Sequence, residues 1–130
     1  MNKDDDEQLM YKLALHLLPG IGPVSARNLV SYCGGVKEVF HTRKGELEKI
    51  PFIGTERAKE IIKYKSFQEL RIEVEHIRKN NIQTLFYLDK EYPQRLKNCE
   101  DAPVLLFYKG NADLNAQKII SVVGTRHITT

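Results

Sequence analysis

Apolar residues recur at three- and four-residue spacing through the first two thirds of the chain and in short unbroken runs through the last third, the marks of amphipathic helices and of strands respectively. Leu9, Leu13, Ala14, Leu17 and Leu18 line one face of a first helix, opened by Asp residues that suit a helix N-terminus and closed by Pro19-Gly20. Pro23 fits the first turn of a second helix, which continues through Val24, Ala26, Leu29 and Val30 and stops at Gly34-Gly35. Short helical turns around Val36 to Phe40 and Glu46 to Ile50 lead to Pro51. Thr55, whose hydroxyl suits a cap, opens a helix with Ala58, Ile61 and Ile62 on its apolar face. Phe67, Leu70, Val74 and Ile77 mark a further helix that ends at Asn80-Asn81, where Asn tolerates a left-handed backbone.

After Asn81 the texture changes. Ile82 to Leu88 and Val104 to Tyr108 read as strands, separated by Tyr92-Pro93, where Pro can open a helical turn. Ile119 to Val123 is almost wholly apolar, the pattern of a strand buried on both faces of a parallel sheet. The expected fold is therefore a mainly α N-terminal domain over residues 1–80, followed over 81–130 by the first strands of an α/β domain, with no low-complexity linker between them. A parallel strand needs a crossover connection and a neighbour. Because the apolar run comes just before the last residues, the expectation is an N-terminal portion of a longer protein.

The helical part contains an internal repeat. Leu18-Pro19-Gly20-Ile21-Gly22-Pro23-Val24-Ser25-Ala26 aligns with Ile50-Pro51-Phe52-Ile53-Gly54-Thr55-Glu56-Arg57-Ala58 at every step, the mark of a duplicated supersecondary unit. The pattern apolar-Pro-Gly-apolar-Gly-x-x-x-Ala resembles the helix-hairpin-helix motif. Glycine permits torsions that a side chain forbids, and the helix that follows begins with unpaired N–H groups that suit a phosphate. The candidate contacts are Gly20, Gly22 and Ser25 in the first copy and Gly54, Thr55 and Arg57 in the second. Phe52 stands where the motif has its first glycine, so the second turn has the better charge and the first the better backbone. Equally open at this point is a purely structural role, two turns packing a small helical domain.

Composition narrows the function classes. The 130 residues are 42% hydrophobic and 28% charged, the usage of a folded globular protein with at most two domains. The formal net charge is +3. Residues 1–8 hold one Lys and four acids, so the rest of the chain is more basic than the total implies and compatible with a polyanion. No apolar run approaches the roughly 20 residues of a membrane span, and an acidic start is not a secretory leader. A cytoplasmic protein without membrane contact is expected. Cys33 and Cys99 stand alone and read as reduced thiols. His16, His41, His76 and His127 lack a second ligand at metal spacing, so neither metal nor cofactor is expected.

A second constellation lies near the carboxyl end. Ile119-Ile120-Ser121-Val122-Val123-Gly124-Thr125-Arg126 reads as a strand followed by a glycine turn bearing a hydroxyl and a guanidinium. Open α/β sheets bind ligands at that end of a strand, and Arg matches phosphate oxygens bidentately. Taken together, the repeat, Tyr92-Pro93-Gln94-Arg95-Leu96, the run Ala102 to Asn111 and Val122-Val123-Gly124-Thr125-Arg126, in this order, resemble the DNA-processing protein A family.

The resemblance implies a helix-hairpin-helix or sterile-alpha-motif-like domain joined to a Rossmann-like domain that binds single-stranded DNA. It implies protection of incoming strands during natural transformation, loading of a RecA-type recombinase onto them, and a homodimer of the full-length protein. Gly124, Thr125 and Arg126 fall on the family's G-[ST]-R loop, where the Arg contacts phosphate; the segments that complete that pocket lie beyond Thr130. Tyr92, Pro93 and the Val104 to Gly110 run read as scaffold. No nucleophile triad, paired-carboxylate motif or P-loop is visible, so no enzymatic activity is expected. A protein-interaction role for the helical part and a Rossmann-like nucleotide hydrolase are the alternatives.

Overall fold

A computed structural model describes residues 2–128. Its elements are α1 (Lys3–Leu17), α2 (Pro23–Cys33), α3 (Val36–Val39), α4 (Lys44–Leu47), α5 (Gly54–Lys63), α6 (Phe67–Lys79), β1 (Gln83–Phe86), α7 (Gln94–Lys97) and β2 (Leu105–Tyr108). The chain is thus mainly helical, with a small sheet in its last third. Asn2 caps α1 through its side chain, and Asp4, Asp5 and Asp6 occupy the first turn, where the helix dipole favours negative charge. Gly34 (φ 92°) ends α2, and Asn81 (φ 53°) follows α6 in the left-handed region that the sequence assigned to it.

Helix α1 is the spine. Leu9, Leu13, Ala14 and Leu15 are buried, and the helix packs against α6, α3 and β2. The core that forms around it includes Leu29 of α2, Val39 of α3, Leu47 of α4, Ile61 of α5 and Ile77 of α6, and it continues into Phe86, Val104 and Leu105. Tyr11, Phe40 and Phe67 surround one another with ring centroids 5.4 to 5.8 Å apart, and Tyr64 joins at 5.2 Å from Phe67. Mostly edge-on, these contacts staple α1 to the α5–α6 junction.

Strands β1 and β2 pair antiparallel, with Gln83 opposite Tyr108 and Phe86 opposite Leu105. Each is shorter than its apolar run. Pro93 caps α7, as its fixed φ allows. Tyr92, fully buried, donates its hydroxyl to the Pro103 carbonyl at 2.6 Å, so the Tyr92-Pro93 turn and the lead into β2 are held together.

Two expectations need correction. Ile119 to Val123 is not a buried strand: it forms no ladder, and Ile120, Val122 and Val123 are 91%, 93% and 90% exposed. A strand exists only where a neighbour accepts its N–H and C=O groups, and no strand lies beside this run among the described residues. Thr55 does not cap α5, which begins one residue earlier, after Ile53, without a side-chain cap.

Replacing Tyr92 by Phe keeps the ring but orphans the Pro103 carbonyl, and should lower unfolding stability by about 1–3 kcal/mol in urea titration. Burial raises the phenols of Tyr64, Tyr87 and Tyr92, with Glu69 adding to the first and Arg27 opposing in the other two. The folded state therefore holds these protons more tightly than the unfolded chain, whose tyrosines ionise near 10. This stability is complete below about pH 10 and is lost as pH rises through the folded values. A urea midpoint that falls above pH 10, less steeply in Tyr92→Phe, is the expected result.

Candidate nucleic-acid interface

The two aligned sequence segments form matching turns. In the first, Ile21 N–H donates to Leu18 C=O at 3.4 Å; in the second, Ile53 N–H donates to Ile50 C=O at 3.1 Å. Pro19 and Pro51 occupy the second position of these turns, and the third has a positive φ: 71° at Gly20 and 70° at Phe52. Such a turn favours glycine there. Phe52 adopts the glycine conformation without being glycine, at a cost of about 1–3 kcal/mol. Leu18, Ile21, Ile50 and Ile53 are buried and anchor both turns in the core.

Each turn delivers a helix. Gly22 precedes α2 and Gly54 (φ 65°) begins α5, and neither N-terminus has a side-chain cap. Ala26 and Ala58, both buried, keep the following turns close to their neighbours. The remaining candidates separate here. Ser25 is buried, whereas Thr55 is exposed. Arg57 is turned inward along the surface: its Nε donates to the Gly20 carbonyl at 2.8 Å and its other nitrogen to the Phe52 carbonyl. Asn28 donates to the Pro51 carbonyl at 3.4 Å. The two turns therefore lie side by side, tied by α2 and α5.

Arg27 is a residue whose role the sequence did not disclose. Its guanidinium donates to the carbonyls of Ala102, at 3.2 Å, and Glu100, linking the helix after the first turn to the lead into β2. Beyond β2, Arg95 donates to Ala116 and Gln117 carbonyls at 2.8 and 2.7 Å, and Asn115 Oδ1 accepts from Gln94 N–H at 2.8 Å. These bonds fasten residues 115–117 to α7. From there the chain runs exposed to Gly124, Thr125 and Arg126. The Thr125 hydroxyl donates to the His127 carbonyl at 2.6 Å. Among the described residues Arg126 makes no hydrogen bond or ion pair, and no such bond joins its turn to either proline turn.

The acidic leader is held away from these turns. Asp6 accepts from Arg78 at 2.9 Å and Glu7 pairs with Lys37 at 3.3 Å, fixing it at the far end of α1 from Leu18. At 1.5 Å rise per residue the separation along the helix is about 18 Å, beyond the ~8 Å screening length at physiological salt. Its repulsion of a phosphate at the turns is therefore weak. Among the described residues no three His, Cys, Asp or Glu side chains cluster as metal ligands, and no helix is long and apolar enough to cross a membrane.

Residues 83–130 match the model of the family described as DNA recombination-mediator protein A. The chain is 56% identical over 39 residues to DNA processing protein DprA of Streptococcus pneumoniae (strain ATCC BAA-255 / R6), a match covering 30% of this chain and 14% of that protein. It is also 31% identical over 62 residues to UvrABC system protein C of Anaplasma phagocytophilum (strain HZ), covering 48% of this chain and 10% of that protein. The chain thus spans only a small part of the length of these curated relatives. No solved structure matches it. Tyr92-Pro93, the lead into β2 and Gly124-Thr125-Arg126 all fall within the segment, residues 83–130, that is similar to the DNA recombination-mediator protein A family.

Proposed function

We propose that this chain is the DNA-binding part of a recombination mediator that holds single-stranded DNA during DNA processing and natural transformation and loads a RecA-type recombinase onto it. The observation that carries the reading is the family match over residues 83–130, which contains an exposed Gly124-Thr125-Arg126 turn whose guanidinium is engaged by nothing else among the described residues. In this reading Arg126 grips a phosphate bidentately and Gly124 lets the backbone approach. Residues 1–80 act as a helix-hairpin-helix, sterile-alpha-motif-like domain, and residues 81–130 begin a Rossmann-like domain through which the full-length protein dimerises in the cytoplasm. The protein works as a mediator rather than an enzyme. The uncapped starts of α2 and α5, at Gly20-Gly22 and Gly54-Thr55, are secondary phosphate contacts, with Arg57 supporting them and Ser25 packing beneath. The same surface read as a protein-docking module would bind without a steep salt dependence.

Fluorescence anisotropy of a labelled oligothymidine titrated with the chain tests this. Expected is binding that weakens steeply between about 50 and 200 mM salt, as counterion release requires, and that falls by about 5- to 10-fold in Arg126→Ala at low salt, the loss of one charged hydrogen-bonding group. Binding that ignores both salt and the substitution would overturn the phosphate role of the Gly124 turn.

A further inference from the structure

Phe52 occupies a backbone conformation that the aligned turn fills with glycine, yet its ring packs into no core: it is 68% exposed. Tyr32 is 64% exposed. The two lie on one surface. Asn28 of α2 donates to the carbonyl of Pro51, the residue before Phe52, and Tyr32 stands one helical turn beyond Asn28 on the same helix. Beside Tyr32 opens a cavity of about 290 Å³ that is also lined by Lys49, Thr42, Glu46 and Ile50. The surface therefore runs from Phe52 across Pro51 and Asn28 to Tyr32.

Its charge is positive. Arg57 lies beside Phe52, its guanidinium bonded to backbone carbonyls and not to carboxylates, and Lys49 lines the cavity beside Tyr32. Neither forms an ion pair among the described residues, so each keeps its positive charge. Between Arg43 and Lys65 seven basic residues face four acidic ones. Two exposed rings beside unneutralised cations complement a ligand that carries flat apolar faces and negative charge together. Duplex DNA hides its base faces within the stack; a single strand presents them.

We propose that Phe52 and Tyr32 form a base-stacking platform for single-stranded DNA on the helical part of the molecule, separate from the Gly124 turn. This deepens the function proposed above and rests on it. Phe52 carries the main stack at the tip of the second turn, and Tyr32 with Lys49 receives the strand as it passes over α2. The platform selects single strands over duplex and tolerates any base, since every base has a π-face.

The test uses the full chain, an oligothymidine and an abasic oligonucleotide of equal length. Phe52→Gly restores the residue that the turn geometry favours and should leave the melting temperature unchanged or raised. The same variant should weaken oligothymidine binding by about 5-fold or more while sparing the abasic strand. Tyr32→Ala should act in the same direction. The chain has no Trp, so Phe52→Trp supplies a single reporter whose fluorescence oligothymidine should quench while affinity is retained. Oligothymidine binding that is unchanged in Phe52→Gly, with an unquenched Phe52→Trp, would overturn the platform and leave the proposed function standing. Absence of oligothymidine binding by the natural chain at low salt would overturn both.

Discussion

One guanidinium sets the geometry of the helical part. Arg57 projects from the first turn of α5 and donates to the carbonyls of Gly20 and Phe52, so the backbone of one proline turn is held against the other. Those carbonyls sit at the tightest points of the two turns, where no ladder or helix partner is available, and an unpaired one would cost about 1–3 kcal/mol wherever it is withdrawn from water. With Asn28 bonded to Pro51, the starts of α2 and α5, neither with a side-chain cap, are tied to one another. The apolar residues on either side of each turn, Leu18 with Ile21 and Ile50 with Ile53, seat this arrangement in the core.

The distribution of charge follows from the same framework. Helix α1 carries its acids at one end and hands the chain to the first turn at the other, with Arg78 and Lys37 holding Asp6 and Glu7 in place. Whereas Lys59 is paired with Glu56, Arg27 and Arg57 are bonded to neutral carbonyls and keep their field. Arg27 does this while reaching the lead into β2, which brings the family-matched segment and the helical part into one packed body around Phe86, Val104 and Leu105.

The helices were legible because a repeat of 3.6 residues with glycine, proline and asparagine at its ends is a local signal, and local signals survive folding. Asn81 shows how far this goes: its residue type alone indicated the left-handed turn found there. The run Ile119 to Val123 shows where it stops, since an apolar β-prone segment becomes a strand only when neighbours complete its hydrogen bonds, a condition set outside the segment. Thr55 misled for a related reason: α5 begins at Gly54, which puts Thr55 inside the first turn of the helix and not at its cap position. Of the candidate region, the positions of the two proline turns were readable, whereas the Gly124-Thr125-Arg126 turn was expected at the end of a buried strand and instead follows an exposed run. The inward engagement of Arg57 and the bridging role of Arg27 were not, because a surface arginine looks the same in sequence whether it meets solvent, an acid or a carbonyl 37 or 75 residues away.

The central claim is that this chain holds single-stranded DNA at its glycine-bearing turns. Backbone amide chemical shifts of the isotope-labelled chain, followed during titration with unlabelled oligothymidine at low salt, test it most directly. The account predicts shifts concentrated at residues 22–26, 52–57 and 124–127, with the amides of Lys3–Glu7 unmoved. Shifts confined to the α1–α6 face, or no shifts at saturating oligonucleotide, would contradict it.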